Sequence, residues 1–198
     1  MATFHYYEDY VLENERTRLE PLRYGHLDPL RVPADNPDIW TYFLENGYGA
    51  NNFERYINRA LDQHQQRVEY PFVIMDKTTD TVAGCTRLYD IDPQLGIIKV
   101  GHTWIGKDFQ GTGLNKQAKF LLFEFLFETL GFERVGFGAS SENLRSIAAL
   151  EKVGAQHEGR LRSYMPSQTG DGRADIVLMS MLRSEWLDTS KARLKAYL

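Results

Sequence analysis

The residues with the clearest chemical potential run from Trp104 to Asn115. An apolar, strand-like segment ends there, a glycine loop follows, and a long amphipathic segment begins at once. Gly111 and Gly113 leave backbone N–H groups unobstructed where a helix N-terminus concentrates partial positive charge, an arrangement that binds phosphate. A tight strand-to-helix turn would use glycine in the same way, so the loop alone leaves both readings open. Groups able to move protons are scattered: Lys99 and His102 precede the loop, and Glu158, Tyr164 and Asp175 lie far beyond it. His5, His26, His64, His102 and His157 show no ligand spacing, so no metal site is expected. Cys85 sits in a strand-like run and reads as a small buried residue rather than a nucleophile.

Spacing narrows the phosphate ligand. A Walker loop needs Lys followed by Ser or Thr after its last glycine; Gly106 and Gly111 are correctly separated, but Thr112 and Gly113 follow. A dinucleotide fingerprint needs a third glycine three residues after Gly113, where Lys116 stands. A non-CoA nucleotide domain is therefore the distant alternative. The pattern of Gln110, Gly111 and Gly113 after a strand resembles the coenzyme A pyrophosphate loop of GNAT-type acyltransferases.

The resemblance extends from about Arg18 to Trp186 and is strongest between Gly101 and Arg162. It includes the runs Asn143 to Ser146, Ala149 to Ala155 and Glu158 to Arg162. The last of these, with Asp175 and the pair Glu185 and Trp186, is similar to the branch containing the ribosomal-protein N-acetyltransferases of the RimJ/RimL type. The fold implied is α/β (α+β), a mixed and mostly antiparallel sheet of six or seven strands with helices on both faces. The activity implied is transfer of an acetyl group from acetyl-CoA to a primary amine, either a protein N-terminal α-amine or a small amino compound, by direct attack in a ternary complex. A catalytically weak acyl-CoA sensor or scaffold on the same fold is the nearer alternative.

Carried over residue by residue, the resemblance makes Gln110, Gly111, Thr112, Gly113, Leu114 and Asn115 the pyrophosphate loop. The backbone of Trp104 and Ile105 would align the pantetheine arm, with an N–H near Ile105 facing the thioester oxygen. Asn143 would touch the cofactor arm, and the Ser146 hydroxyl would protonate the departing thiolate. Asn143 is equally a good helix N-cap, with Ser146 in the first turn. Many GNAT enzymes use a tyrosine of this helix as the acid, and none is present; Tyr164 is the substitute or a lining residue of the acceptor pocket. Lys99 stands where many relatives carry a glutamate base, and His102, Glu158 and Asp175 are replacements by residue type. At pH 7 an α-amine of pKa near 8 is about one-tenth neutral, whereas a lysine amine is neutral in well under ~0.1% of molecules. Weak base machinery thus favours a low-pKa amine.

The elements that must position these groups can be read from periodicity. A hairpin turns near Asn14, and Pro29, Pro33 and Pro37 mark a loop. Helices are expected around Asp38 to Asn46 and Phe53 to Arg67, and strands at Phe72 to Met75, Val82 to Leu88 and Ile97 to Ile105. A helix from Leu114 to Leu130 would turn Lys116, Gln117, Lys119, Glu124 and Glu128 to solvent, with Gly131 as its stop. A strand at Arg134 to Phe137 and a helix from Asn143 to Val153 follow. Strands near His157 to Tyr164 and Asp175 to Leu182 flank a turn at Gly170 to Gly172. Trp40, Tyr42 and Tyr48 line the acceptor cleft or pack in the core.

A chain of 198 residues favours one domain over 1–198, with an N-terminal extension and hairpin over 1–17 and a helical tail over 184–198. The formal net charge of −4 argues against a general nucleic-acid binder. One cysteine excludes an internal disulfide and suits a reducing compartment. With no apolar signal core and no long apolar run, a cytoplasmic protein without membrane contact is expected. The final strands and an aromatic-rich surface permit a homodimer.

Overall fold

The computed structural model describes residues 1–198. Its frame is a single sheet of eight strands: β1 Leu12–Glu13, β2 Thr17–Pro21, β3 Glu69–Asp76, β4 Thr81–Asp92, β5 Ile97–Ile105, β6 Arg134–Ser140, β7 Gln156–Pro166 and β8 Arg173–Leu182. The spatial order is β1-β2-β3-β4-β5-β6-β8-β7, antiparallel throughout except where β5 meets β6. The GNAT-type α/β sheet expected from sequence is present, with eight strands rather than six or seven. The shortest, β1, is two residues at the edge of the hairpin around Asn14.

One face carries α1 Leu27–Ala34, α2 Pro37–Trp40 and α3 Ala50–Gln65. These pack Leu30, Ile39, Trp40, Phe53, Tyr56 and Ile57 against Val73, Cys85 and Trp104 of the sheet. The prolines expected to mark a loop sit in and beside helices instead. Pro29 falls in the first turn of α1, where its missing N–H had no intrahelical partner, and Pro33 falls in the last turn, with the chain leaving the helix at Asp35. Pro37 opens α2 behind the Asn36 cap. That helix is one turn long, shorter than the pattern from Asp38 to Asn46 suggested, whereas α3 begins three residues before Phe53.

The other face carries α4 Leu114–Glu124, continued as a wide π-turn from Phe125 to Thr129, and then α5 Leu144–Val153 and helical turns from Arg183 to Lys195. Here the periodicity misassigned two side chains. Gln117 and Lys119 are 8% and 6% exposed, not solvated. The tail covers the outer side of α4, where Gln117 donates through Nε2 to the Leu198 carbonyl at 3.3 Å. Trp186 is fully buried and donates through Nε1 to Glu128 at 2.7 Å, which docks the tail. With cover on both sides, α4 has little surface left for polar residues.

Candidate active site

The site is built around two failures of β5 to behave as an ordinary strand. First, β5 pairs with β6 only over Ile97 to Lys99 against Arg134 to Gly136, so the two strands separate beyond Lys99. Second, the register with β4 slips between Cys85 and Arg87, and His102 opposite that slip has φ +49. A bulge of this kind re-aims a side chain.

The opening between β5 and β6 has a polar edge. Gly106 N–H donates to Ala83 of β4 at 2.8 Å, so strand alternation turns the Ile105 backbone to the opposite edge, facing the gap. The Ile105 carbonyl is taken by Gln110 Nε2 at 2.9 Å. The Trp104 carbonyl instead lies on the β4 side, where a Cβ at Gly84 would sit 2.0 Å from it. Of the two backbone contacts expected here, Ile105 faces the opening and Trp104 serves the ladder. The Trp104 indole packs 5.5 Å from Trp40 and 6.1 Å from Phe53, as a core residue would.

At the mouth of the opening, Gly111 and Gly113 have φ +78 and +92, which β-carbon residues adopt only with strain. Gly113 is the N-cap of α4 and supplies no side chain to its first turn. Turn and cap hydrogen bonds engage none of the backbone N–H groups of Gly111, Thr112, Gly113 and Asn115. Leu114 N–H reaches only Thr112 Oγ1, at 3.4 Å. Thr112 Oγ1 donates to the Phe109 carbonyl at 2.7 Å, and the Leu114 side chain is fully buried, so both offer a ligand their backbone only. Asn115 Oδ1 is buried without a donor.

Two cations that sequence reasoning passed over hold this loop. Arg16, from the β1–β2 turn, donates to the Thr112 carbonyl at 2.8 Å and pairs with Asp76 at 3.6 Å. Arg145, in the first turn of α5, donates to Gln110 Oε1 at 3.0 Å. Gln110 therefore links three elements: the end of β5, the loop and α5. Asn143 caps α5, its Oδ1 accepting from Ser146 N–H at 3.0 Å. The Arg145 bridge brings Asn143 and Ser146 to the loop side of the opening.

On the face of α1 to α3, His102 meets a second constellation. Arg87, 3% exposed, donates to Glu69 at 2.8 Å and lies 4.4 Å over the Tyr56 ring. Glu69 Oε1 is 3.9 Å from His102 Nε2. Phe43 and Tyr89 flank the imidazole at 6.4 and 5.7 Å between ring centroids. Burial, and then the Arg87 charge, push the His102 pKa down to about 4; with 40% of the side chain exposed, water offsets part of that push. Either way the imidazole is neutral at pH 7 and can accept a proton. Burial raises the Tyr89 phenol to about 12, so it stays protonated. Tyr164 is 58% exposed and lies on the Tyr89 side of this constellation.

This combination of a parted strand pair, a helix N-terminus with open N–H groups and a bulged strand matches one family. The family model described as an acetyltransferase (GNAT) domain fits residues 16–156.

The chain belongs to the GNAT family.

It is an acetyl-CoA-dependent N-acetyltransferase. It is 31% identical to the uncharacterized N-acetyltransferase p20 of Bacillus licheniformis, over 89% of this chain and 98% of p20. It is 28% identical to YdaF of Bacillus subtilis (strain 168), a protein provisionally named a ribosomal N-acetyltransferase, over 74% of this chain and 78% of YdaF. The crystal structure of a GCN5-related N-acetyltransferase from Brucella melitensis superposes with a TM-score of 0.87 at 28% identity, covering 100% of this chain and 90% of that one.

Other chemically capable groups are engaged elsewhere or buried. Lys99 pairs with Asp90 at 2.8 Å. Glu158 is held by the Arg134 guanidinium and accepts from Ser180 Oγ, and both contacts keep its carboxyl below the usual range. Asp175 accepts from Ser163 N–H at 2.7 Å and pairs with Arg160 at 3.3 Å. Burial lifts the Cys85 thiol to about 12, which rules out a thiolate. Glu69 and Arg87 went unnoticed in the sequence because nothing in their spacing joins them to His102. No group of His, Cys, Asp and Glu could hold a metal, and no helix is long and apolar enough to cross a membrane.

Proposed function

We propose that this protein transfers the acetyl group of acetyl-CoA to a primary amine of low pKa, with a protein N-terminal α-amine favoured over a small amino compound. The observation that carries this reading is the parting of β5 from β6 beyond Lys99, with unpaired N–H groups at the start of α4 and His102 on the bulge of the same strand. In this reading the backbone of residues 111–115 holds the pyrophosphate, helped by Arg16 and Arg145 beside the loop. Asn143 contacts the arm, and Ile105 N–H faces the thioester oxygen as negative charge develops there.

The amine nitrogen attacks the thioester carbonyl carbon, the carbon–sulfur bond breaks, and the thiolate leaves as coenzyme A. His102, with Glu69 behind it, accepts the proton shed by the nitrogen and releases it to solvent; Ser146 donates to the sulfur and regains a proton from solvent. Tyr164, Phe43 and Tyr89 line the acceptor side. A base of pKa about 4 cannot strip an ammonium in a ground-state equilibrium. Whatever the pKa of the base, drawing the proton from a lysine ammonium costs about 3 kcal/mol more than drawing it from an α-ammonium of pKa near 8. The amine therefore arrives neutral from solvent, which favours α-amines. The ribosomal N-acetyltransferase name provisionally given to YdaF supports a protein acceptor over a small amino compound.

Calorimetric titration with acetyl-CoA, using ATP and NAD as controls, tests the cofactor half of this reading. Saturable binding of acetyl-CoA alone is expected; absence of binding would remove the proposal.

A further inference from the structure

Lys119 reaches from α4 into the gap between β5 and β6. Its Nζ lies 3.4 Å from Thr103 Oγ1 on β5 and 5.7 Å from the centroid of the Phe137 ring on β6, so it sits where the strands have already parted. The side chain is 6% exposed. An ammonium has three donors, and this one has a single, long hydrogen bond. The Thr103 hydroxyl it reaches is itself engaged with Thr86 Oγ1 at 2.8 Å. Burial alone pushes the Lys119 pKa down to about 8, with no neighbouring anion to oppose it. At pH 7 the group is still mostly charged. A buried, mostly charged and under-bonded ammonium costs stability unless something else accepts from it.

We propose that Lys119 is a cofactor-positioning residue whose ammonium forms the floor of the slot and donates to an amide carbonyl of the pantetheine arm. The geometry favours the arm over the phosphates. The anionic end is served by the open N–H groups at residues 111–115, whereas Lys119 lies more than one helical turn further along α4, alongside β5. A neutral carbonyl on a chain passing along β5 gives the ammonium the acceptor that the protein withholds. This role rests on the acetyl-CoA reading above.

The test is calorimetric titration of wild-type protein, K119M and K119Q with coenzyme A and with 3′-phosphoadenosine 5′-diphosphate, the nucleotide half without the arm. Thermal unfolding of each unliganded protein accompanies it. K119M is expected to bind coenzyme A about tenfold more weakly, to bind the nucleotide half as wild type does, and to unfold at or above the wild-type temperature because a buried charge has gone. K119Q keeps a donor and should lie between the two. Unchanged coenzyme A affinity, an equal loss for the nucleotide half, or a lowered unfolding temperature in K119M would each overturn the proposal. If K119M does not fold, K119Q decides by the same comparison of the two ligands. Failure of the wild-type protein to bind coenzyme A would instead remove the acetyl-transfer reading, and this role with it.

Discussion

The two sides of β5 are built by different means. Toward β6 and α4, the site is made of backbone: open N–H groups at residues 111–115, the Ile105 edge and a cap at Asn143. Toward α1 to α3, it is made of side chains brought from distant segments: Glu69 from β3, Arg87 from β4, His102 from β5, and Phe43 beyond α2. A backbone site tolerates side-chain change but not change of main-chain geometry. A side-chain site depends on each member, because removing one leaves another buried without its partner.

The largest expected effect follows from that dependence. Glu69→Ala leaves the buried Arg87 guanidinium without its carboxylate, and urea unfolding should show a loss of about 3 kcal/mol. A loss within ~0.5 kcal/mol would mean that the pair is solvated and the contrast is overstated. Next, Gly113→Ala should weaken acetyl-CoA binding by about tenfold or more, because φ +92 is strained for alanine and relaxing it re-aims the loop N–H groups. The matching control sharpens the comparison. Asn115→Ala should hold affinity within about threefold, since its side-chain oxygen already lacks a donor.

His102→Gln should lower kcat by about tenfold to a hundredfold, at the low end of general-base effects, with the KM for acetyl-CoA little changed. It also has a stability signature. The His102 pKa is depressed in the folded state, so the unfolded chain binds this proton first. Folded stability should therefore fall as the pH drops from about 6.5 toward about 4, and His102→Gln should flatten that part of the profile. An unaltered slope would show that His102 titrates as it does in water. The smallest effect is at the α5 cap, where Asn143→Ala should cost about 1 kcal/mol in thermal unfolding.

The same contrast explains what the sequence made legible. The backbone side announces itself locally, because positive-φ turns need glycine, helix starts need a cap, and both occur within a dozen residues. Gly131 in left-handed conformation after α4 and the hairpin at Asn14 were readable for that reason. The side-chain side has no local signal, since Glu69, Arg87 and His102 meet only once three strands are in register. Lys99 drew attention by position, yet it is spent on Asp90. Lys119 was hidden differently. A lysine between hydrophobic residues reads as a surface residue, but its helical neighbours Leu122, Phe123 and Leu126 are all essentially fully buried. The i, i+3, i+4, i+7 stripe therefore placed it in the interior. Prolines misled in the opposite sense: Pro29 sits in the first turn of α1, where a missing N–H costs little, and Pro33 sits in the last turn, where the helix is about to end.

Thiol release from acetyl-CoA at pH 7 shows whether the acceptor amine must arrive neutral. The two acceptors would be a lysine-free peptide with a free N-terminus and the same peptide with its N-terminus blocked and one lysine added. Faster release with the α-amine, by about a hundredfold if the neutral fraction governs the rate, is the expected result. Equal or faster release with the lysine amine would contradict the account, and would place a stronger base at the site than His102 and Glu69 provide.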